Sequence, residues 1–240
     1  MANPRDHDWA AHNAEVASVW QSYLQGRPIR PPVIFDLPAI YTLSHPETNP
    51  QGMDFDEYVL DPEKQIQHQL QAQRWTRFWP RRDVPMGPDS GPLRLMVDDQ
   101  NIYDAAWLGC PVEYRVGQPP YTTPMLAKHP EKLYDLNVPE PTSGFMAGSI
   151  ERFEYMTEWA NGAEFEGFEV APPTRVKGLA TNGVFTVSCI IRGATNLCVD
   201  IYENPQYVHD LLDYVTDAVI ARVKGLRAYF GEKWPELGHH

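Results

Sequence analysis

Two adjacent aspartates, Asp98 and Asp99, end the short apolar run 93–97. A carboxylate just past the carboxyl end of a strand is where α/β barrels hold catalytic groups, because the loops there converge on one face. The same side chain also caps helices by accepting backbone N–H groups, and a helical pattern begins at Ile102. Asp36, near the end of the apolar run 33–37, carries the same two readings. Arg192, just before Gly193, is suited to grip an anion, or to lie in solvent or in an ion pair.

Other chemistries lack their residues. The eight histidines show no metal spacing: there is no His-Glu-x-x-His, no Cys-x-x-Cys and no His-x-Cys. Cys189 and Cys198 are nine apart across two elements, a poor start for a shared zinc site. Asn182-Gly183 lacks the further glycines and the lysine of a phosphate loop, and no Gly-x-Ser-x-Gly elbow occurs. Residue chemistry alone names no reaction.

These residues need a scaffold, and the 240-residue chain is long enough to bury a full core. It is 42% hydrophobic and 22% charged, with 12% aromatics, a globular composition. A net charge of −12 argues against nucleic acid or an anionic membrane as partner, since either needs a basic face. A small-molecule substrate is the partner class left, with a homodimer an open alternative. Three scattered cysteines, no signal-peptide pattern and no apolar run of spanning length give a cytoplasmic expectation.

The pattern predicts a helix from Asp6 to Leu24 and a first strand over 33–37, followed by a polar loop over 41–56. Asp61-Pro62 pairs a cap with a proline at the first helical position and opens a helix through Phe78. A second strand over 93–97, a helix over 102–108, an extended stretch over 112–126 and a brief helix over 131–136 follow. Ile150 to Trp159 reads as helix. The β-branched, weakly polar run 184–191 predicts a strand buried on both faces. After Asn204-Pro205, Val208, Leu211, Leu212, Val215, Val219, Val223, Leu226 and Phe230 form one helical stripe, closed by Gly231 and Pro235. Strand, turn and capped helix is the unit of a parallel α/β fold. The chain ends where such a unit would return with another strand, so a truncated chain is expected.

Three stretches together resemble uroporphyrinogen decarboxylases and their relatives. Leu108-Gly-Cys-Pro-Val-Glu-Tyr114, with Pro119-Pro120 and Pro124, is similar to the segment after that family's second strand. Residues 182–193 resemble the strand ending in its Gly-Pro-x-Thr-type motif. Tyr202-Glu-Asn-Pro with Val208-His-Asp-Leu-Leu-Asp-Tyr-Val is similar to the helix that follows. The likeness covers roughly residues 28–240 and implies part of a (β/α)8 TIM-barrel-like α/β domain, preceded by a helical extension at 1–27. It also implies a cofactor-free decarboxylase, in which acetate arms on a tetrapyrrole precursor leave as CO2 after ring protonation. Asp99, or its neighbour Asp98, falls near the aspartate that stabilises the cationic ring.

The rest of the implied substrate site departs from the family. Its Arg-Gln-Ala-Gly-Arg-Tyr run corresponds to Asp36-Leu-Pro-Ala-Ile-Tyr41, which keeps Tyr41 alone, and a later tyrosine corresponds to Cys189. A chain without those arginines is poorly suited to a substrate bearing eight carboxylates, which makes it a divergent member. Some divergent relatives are zinc-dependent methyltransferases that take a methyl group from a corrinoid. Their His-x-Cys and distant cysteine lie in a carboxyl-terminal half, so zinc is expected here only through residues outside this sequence. The alternative from another class is a non-catalytic binding or partner module.

Overall fold

Helix caps and glycines punctuate the chain much as the sequence suggests. The computed structural model describes residues 7–233; the expected helix start at Asp6 and the stop at Pro235 lie outside them. The described chain forms two units, 7–95 with 160–171, and 96–159 with 172–233.

In the first unit, α1 (Trp9–Leu24) begins where the Asp8 carboxylate accepts the Ala11 N–H at 2.9 Å, and it buries Trp9, Val16 and Val19. The polar loop expected over 41–56 instead contains the end of α2 (Ala39–Thr42) and the start of α3 (Phe55–Leu60). Leu43, Met53, Phe55, Tyr58 and Val59 form a small core there. The buried Asn49 amide donates to the Leu43 and Met53 carbonyls, so a polar residue closes an apolar cluster. α4 (Pro62–Thr76) starts at Asp61, whose carboxylate accepts from the Glu63 and Lys64 N–H groups.

The strand expected over 33–37 is absent. That segment is held by side chains instead: Asp83 accepts the Val33 N–H at 2.6 Å, and Arg82 donates to the Phe35 carbonyl at 3.0 Å. Side-chain partners satisfy those backbone groups without a strand ladder. The second expected strand is real but short. β1 (Leu93–Arg94) pairs in parallel with the later strand Phe168–Ala171, and Glu164–Phe165 adds antiparallel to that strand's other edge.

The second unit is mostly helical. It holds α5 (Tyr103–Trp107), a hairpin of β2 (Val112–Arg115) and β3 (Gln118–Thr122), a 3₁₀ turn (Pro130–Asp135) and α6 (Phe145–Trp159). The two strands of the first unit described above, Glu164–Phe165 and Phe168–Ala171, are β4 and β5. A second 3₁₀ turn (Lys177–Leu179) precedes α7 (Val184–Arg192), α8 (Ala194–Glu203) and α9 (Pro205–Lys233).

The run 184–191 is therefore helix α7, not a buried strand. Only one side of it is buried, at Val187, Ser188, Ile191 and Arg192, while Phe185 is half exposed. Spacing of three and four is the helical signature, and packing on α9 overrides the modest β preference of the branched residues. Gly193, at φ 88°, lets α7 turn directly into α8 through 102°. The α9 stripe is as expected, with Leu211, Val215, Leu226 and Phe230 buried, but Gly231 does not close the helix, which runs through it to Lys233 because a glycine can also take helical backbone angles. Each such side chain contributes about 1.5–3 kcal/mol on burial.

Five short strands in two sheets appear among the described residues, and no barrel closes among them. No single described helix is long and apolar enough to cross a membrane.

Candidate active site

In the second unit, the loop between residues 96 and 102 carries both aspartates, in different surroundings. Gln100 adopts φ 51°, a left-handed turn that folds its N–H back onto Asp98 Oδ1 at 3.0 Å and its side-chain amide onto Oδ2 at 2.7 Å. Lys177 Nζ donates to Asp98 Oδ1 at 3.2 Å and to the Gln100 carbonyl at 3.3 Å. The Asp98 side chain keeps 13% of its surface exposed. A cation and two amide donors thus hold this carboxylate at the edge of solvent.

Asp99 points into the protein and is fully buried. Arg152 Nη2 donates to its Oδ1 and Ser149 Oγ to its Oδ2, each at 2.5 Å. Ser149 and Arg152 are three apart on α6, one helical face, so one turn of helix meets both oxygens. Asp99 is thus fully buried, whereas Asp98 keeps part of its side chain exposed.

Beneath this loop lies a second buried pair. Asp104, on α5, accepts from Arg222 Nη2 at 2.5 Å, from the Asn182 N–H at 2.7 Å and from Thr181 Oγ1 at 3.3 Å. Arg222, from α9, also donates to the carbonyls of Gly178 (3.0 Å) and Ala180 (2.9 Å), on either side of Leu179. It thereby holds the 3₁₀ turn that presents Lys177 to Asp98. Gly178 permits this approach: a Cβ there would lie 2.5 Å from Met146 Sδ and 2.7 Å from Leu226 Cδ1. The rings of Trp107 and Tyr103 flank the guanidinium at 5.0 and 5.6 Å. Burial, with the Asp104 charge adding to it, pushes the Tyr103 hydroxyl up to about 12, against the opposing Arg222 and Arg175.

The remaining residues singled out from the sequence do not join this cluster through hydrogen bonds. Arg192 is buried and ion-paired: Nε meets Asp200 at 2.6 Å and Nη1 donates to the Leu126 and Ala127 carbonyls. Cys189 lies on helix α7 rather than on a strand, half-buried, its thiol pushed up by burial and by Cys198. Asp36 and Tyr41 belong to the other unit, where both are exposed. Among the described residues, no three His, Cys, Asp or Glu side chains gather so as to hold a metal ion, so the residues present do not fit a zinc site.

Asp104, Ser149, Arg152, Lys177 and Arg222 went unnoticed in the sequence. Arg222 alone left a trace, since it falls in the phase of the α9 stripe, between Val219 and Leu226, where a charge must find a buried partner.

The family model described as uroporphyrinogen decarboxylase (URO-D) matches residues 102–229. That stretch holds Asp104, Arg152, Lys177 and Arg222, and begins just after Asp98 and Asp99. No curated protein matches the chain. Among solved structures, a methyltransferase from Methanosarcina mazei is similar over 88% of this chain, with a TM-score of 0.51 and 13% identity. This chain spans 55% of that protein's length, and the likeness is one of fold.

Proposed function

Because the chain belongs to the uroporphyrinogen decarboxylase family, we propose that it is a divergent, decarboxylase-type carbon–carbon lyase, working without a cofactor on a small-molecule substrate. Its fold is mixed α/β and TIM-barrel-like; a closed eight-stranded barrel is part of the proposal. The observation that carries the reading is the division of labour between the adjacent aspartates. Asp99 is buried against Arg152, while Asp98 is held by Lys177 and Gln100 and keeps 13% of its side chain exposed.

The chemistry suits that arrangement. Protonating an electron-rich ring carbon makes a cationic ring, and the bond to the carboxylate carbon of an acetate arm then breaks. Its electron pair flows into the ring and CO2 leaves; a solvent proton then converts the resulting methylene to a methyl group as the ring carbon gives back the proton it gained, so that one proton is consumed overall. A fixed carboxylate beside the ring stabilises the cation and accepts ring N–H groups. Asp98 is the group assigned to this, with Lys177 and Gln100 orienting it.

The substrate proposed has fewer carboxylates than uroporphyrinogen. The run 36–41 lacks the family's arginines and the chain carries −12, so a polyanion would be repelled. The test is release of labelled CO2 from carboxyl-labelled uroporphyrinogen and from labelled monopyrrole and indole acetic acids. Release from an acetic acid with one or two carboxylates is the expected result. Release from none of these compounds would contradict the proposal.

A further inference from the structure

Gln100 is gripped at three of its four hydrogen-bonding groups. Its main-chain N–H and its side-chain amide nitrogen donate to the two oxygens of Asp98, and its main-chain carbonyl accepts from Lys177. The next carbonyl, of Asn101, accepts from the Asn182 side chain at 3.1 Å, so the loop is tied on either side of this residue. The backbone at Gln100 holds φ 51°, a left-handed angle that side chains other than glycine seldom take. Backbone outliers of this kind collect at functional sites, where the surroundings over-determine them.

The fourth group is left over. A carboxylate accepts hydrogen bonds and donates none, so the amide nitrogen of Gln100 faces Asp98 and the amide oxygen faces away from it. Among the described residues nothing donates to Oε1, and the atom is not buried. Lys177, the cation at hand, goes to Asp98 and to the Gln100 main-chain carbonyl instead. A neutral acceptor with both lone pairs unused therefore stands one amide group away from Asp98.

We propose that Gln100 is a specificity-determining residue, whose Oε1 accepts the N–H of a substrate ring lying against Asp98. The inference rests on the decarboxylase reading for the placing of that ring, whereas the N–H preference can be read without turnover. Protonation of the ring carbon makes the ring N–H a stronger donor, so its bond to Oε1 tightens as the cation forms, where it counts toward rate. The substrate class is accordingly an N–H heteroaromatic acid, pyrrole-like or indole-like. A ring with oxygen in place of N–H leaves Oε1 without a donor and is discriminated against.

The test is calorimetric titration of the full chain with indole-3-acetate and with benzofuran-3-acetate, which share a carboxylate and a shape and differ in N–H against O. Wild type is expected to bind the indole acid roughly tenfold more tightly, the size of one hydrogen bond, and Gln100→Met to bind the two within about twofold of each other. Gln100→Gly suits the left-handed angle and has no side chain, so it gives the same readout where Gln100→Met fails to fold. A residue that only clamps Asp98 would weaken both acids alike when replaced and leave the preference in place, and that result overturns the inference. Equal binding of the two acids by wild type, or binding of neither, overturns it as well. CO2 release with equal kcat/KM from the two acids overturns the inference alone. The N–H preference and its loss in the variants, without CO2 release from any acid, overturns the decarboxylase reading alone.

Discussion

Asp104 and Arg222, 118 residues apart in sequence, meet at 2.5 Å with neither side chain exposed to solvent. The pair joins α5 to α9, and through the Gly178 and Ala180 carbonyls it fixes the turn that carries Lys177. A charge pair far from solvent costs desolvation of both ions, so its presence is better explained by the geometry it enforces than by net stability.

That view gives a double-mutant test. Arg222→Met leaves Asp104 buried without its counter-ion and is expected to destabilise the protein by about 3–5 kcal/mol. The double variant Asp104→Leu with Arg222→Met, which removes both charges, should recover most of that loss in chemical denaturation. A double variant as unstable as the single one would show that packing, rather than the unpaired charge, dominates.

Close packing around Gly178 gives a second test. Adding a methyl group there forces both Met146 and Leu226 to move, and overpacking of this kind costs about 1–3 kcal/mol. Gly178→Ala is expected to lower the thermal midpoint, measured by circular dichroism. An unchanged midpoint would mean that the turn moves freely.

In the first unit, acid should weaken the link between Asp83 and Arg30. Hydrogen bonds from Arg30, at 2.5 and 2.8 Å, and from the Val33 N–H hold the Asp83 carboxyl down at about 2. A carboxyl held below its unfolded value adds stability that is complete above the unfolded value. That stability fades as pH falls from the ordinary carboxylate range toward 2. Asp83→Asn should flatten this part of the stability profile, and the difference from wild type should vanish near pH 2. A constant difference at every pH would exclude the ionised pair as its source.

Much of the helical framework was legible because its signals are local. Asp61-Pro62 and the α9 stripe state their elements in a few residues, and both are present as expected. The run 184–191 misled because a short apolar segment rich in Val and Ile suits either a strand or a packed helix; its flanking glycines, at φ 98° and 88°, sit as readily beside either. Residues 33–37 misled because a strand needs a neighbour, and Asp83 and Arg82 satisfy part of its backbone instead. Asp98 and Asp99 were visible by position, but nothing in the sequence separates their roles. That separation depends on Arg152 and Lys177, 53 and 79 residues downstream of their partners, and on which carboxylate the loop turns inward.

On the function proposed above, Asp98 carries the chemistry while Asp99 supports the fold. The most direct measurement is kcat for release of labelled CO2 by wild type, Asp98→Asn and Lys177→Met, with thermal midpoints measured alongside. Asp98→Asn is expected to lose about 10²–10³ in kcat with little change in midpoint, the scale of removing one preorganised electrostatic group. Lys177→Met should show a smaller loss in the same direction. An Asp98→Asn enzyme that keeps wild-type kcat would contradict the account.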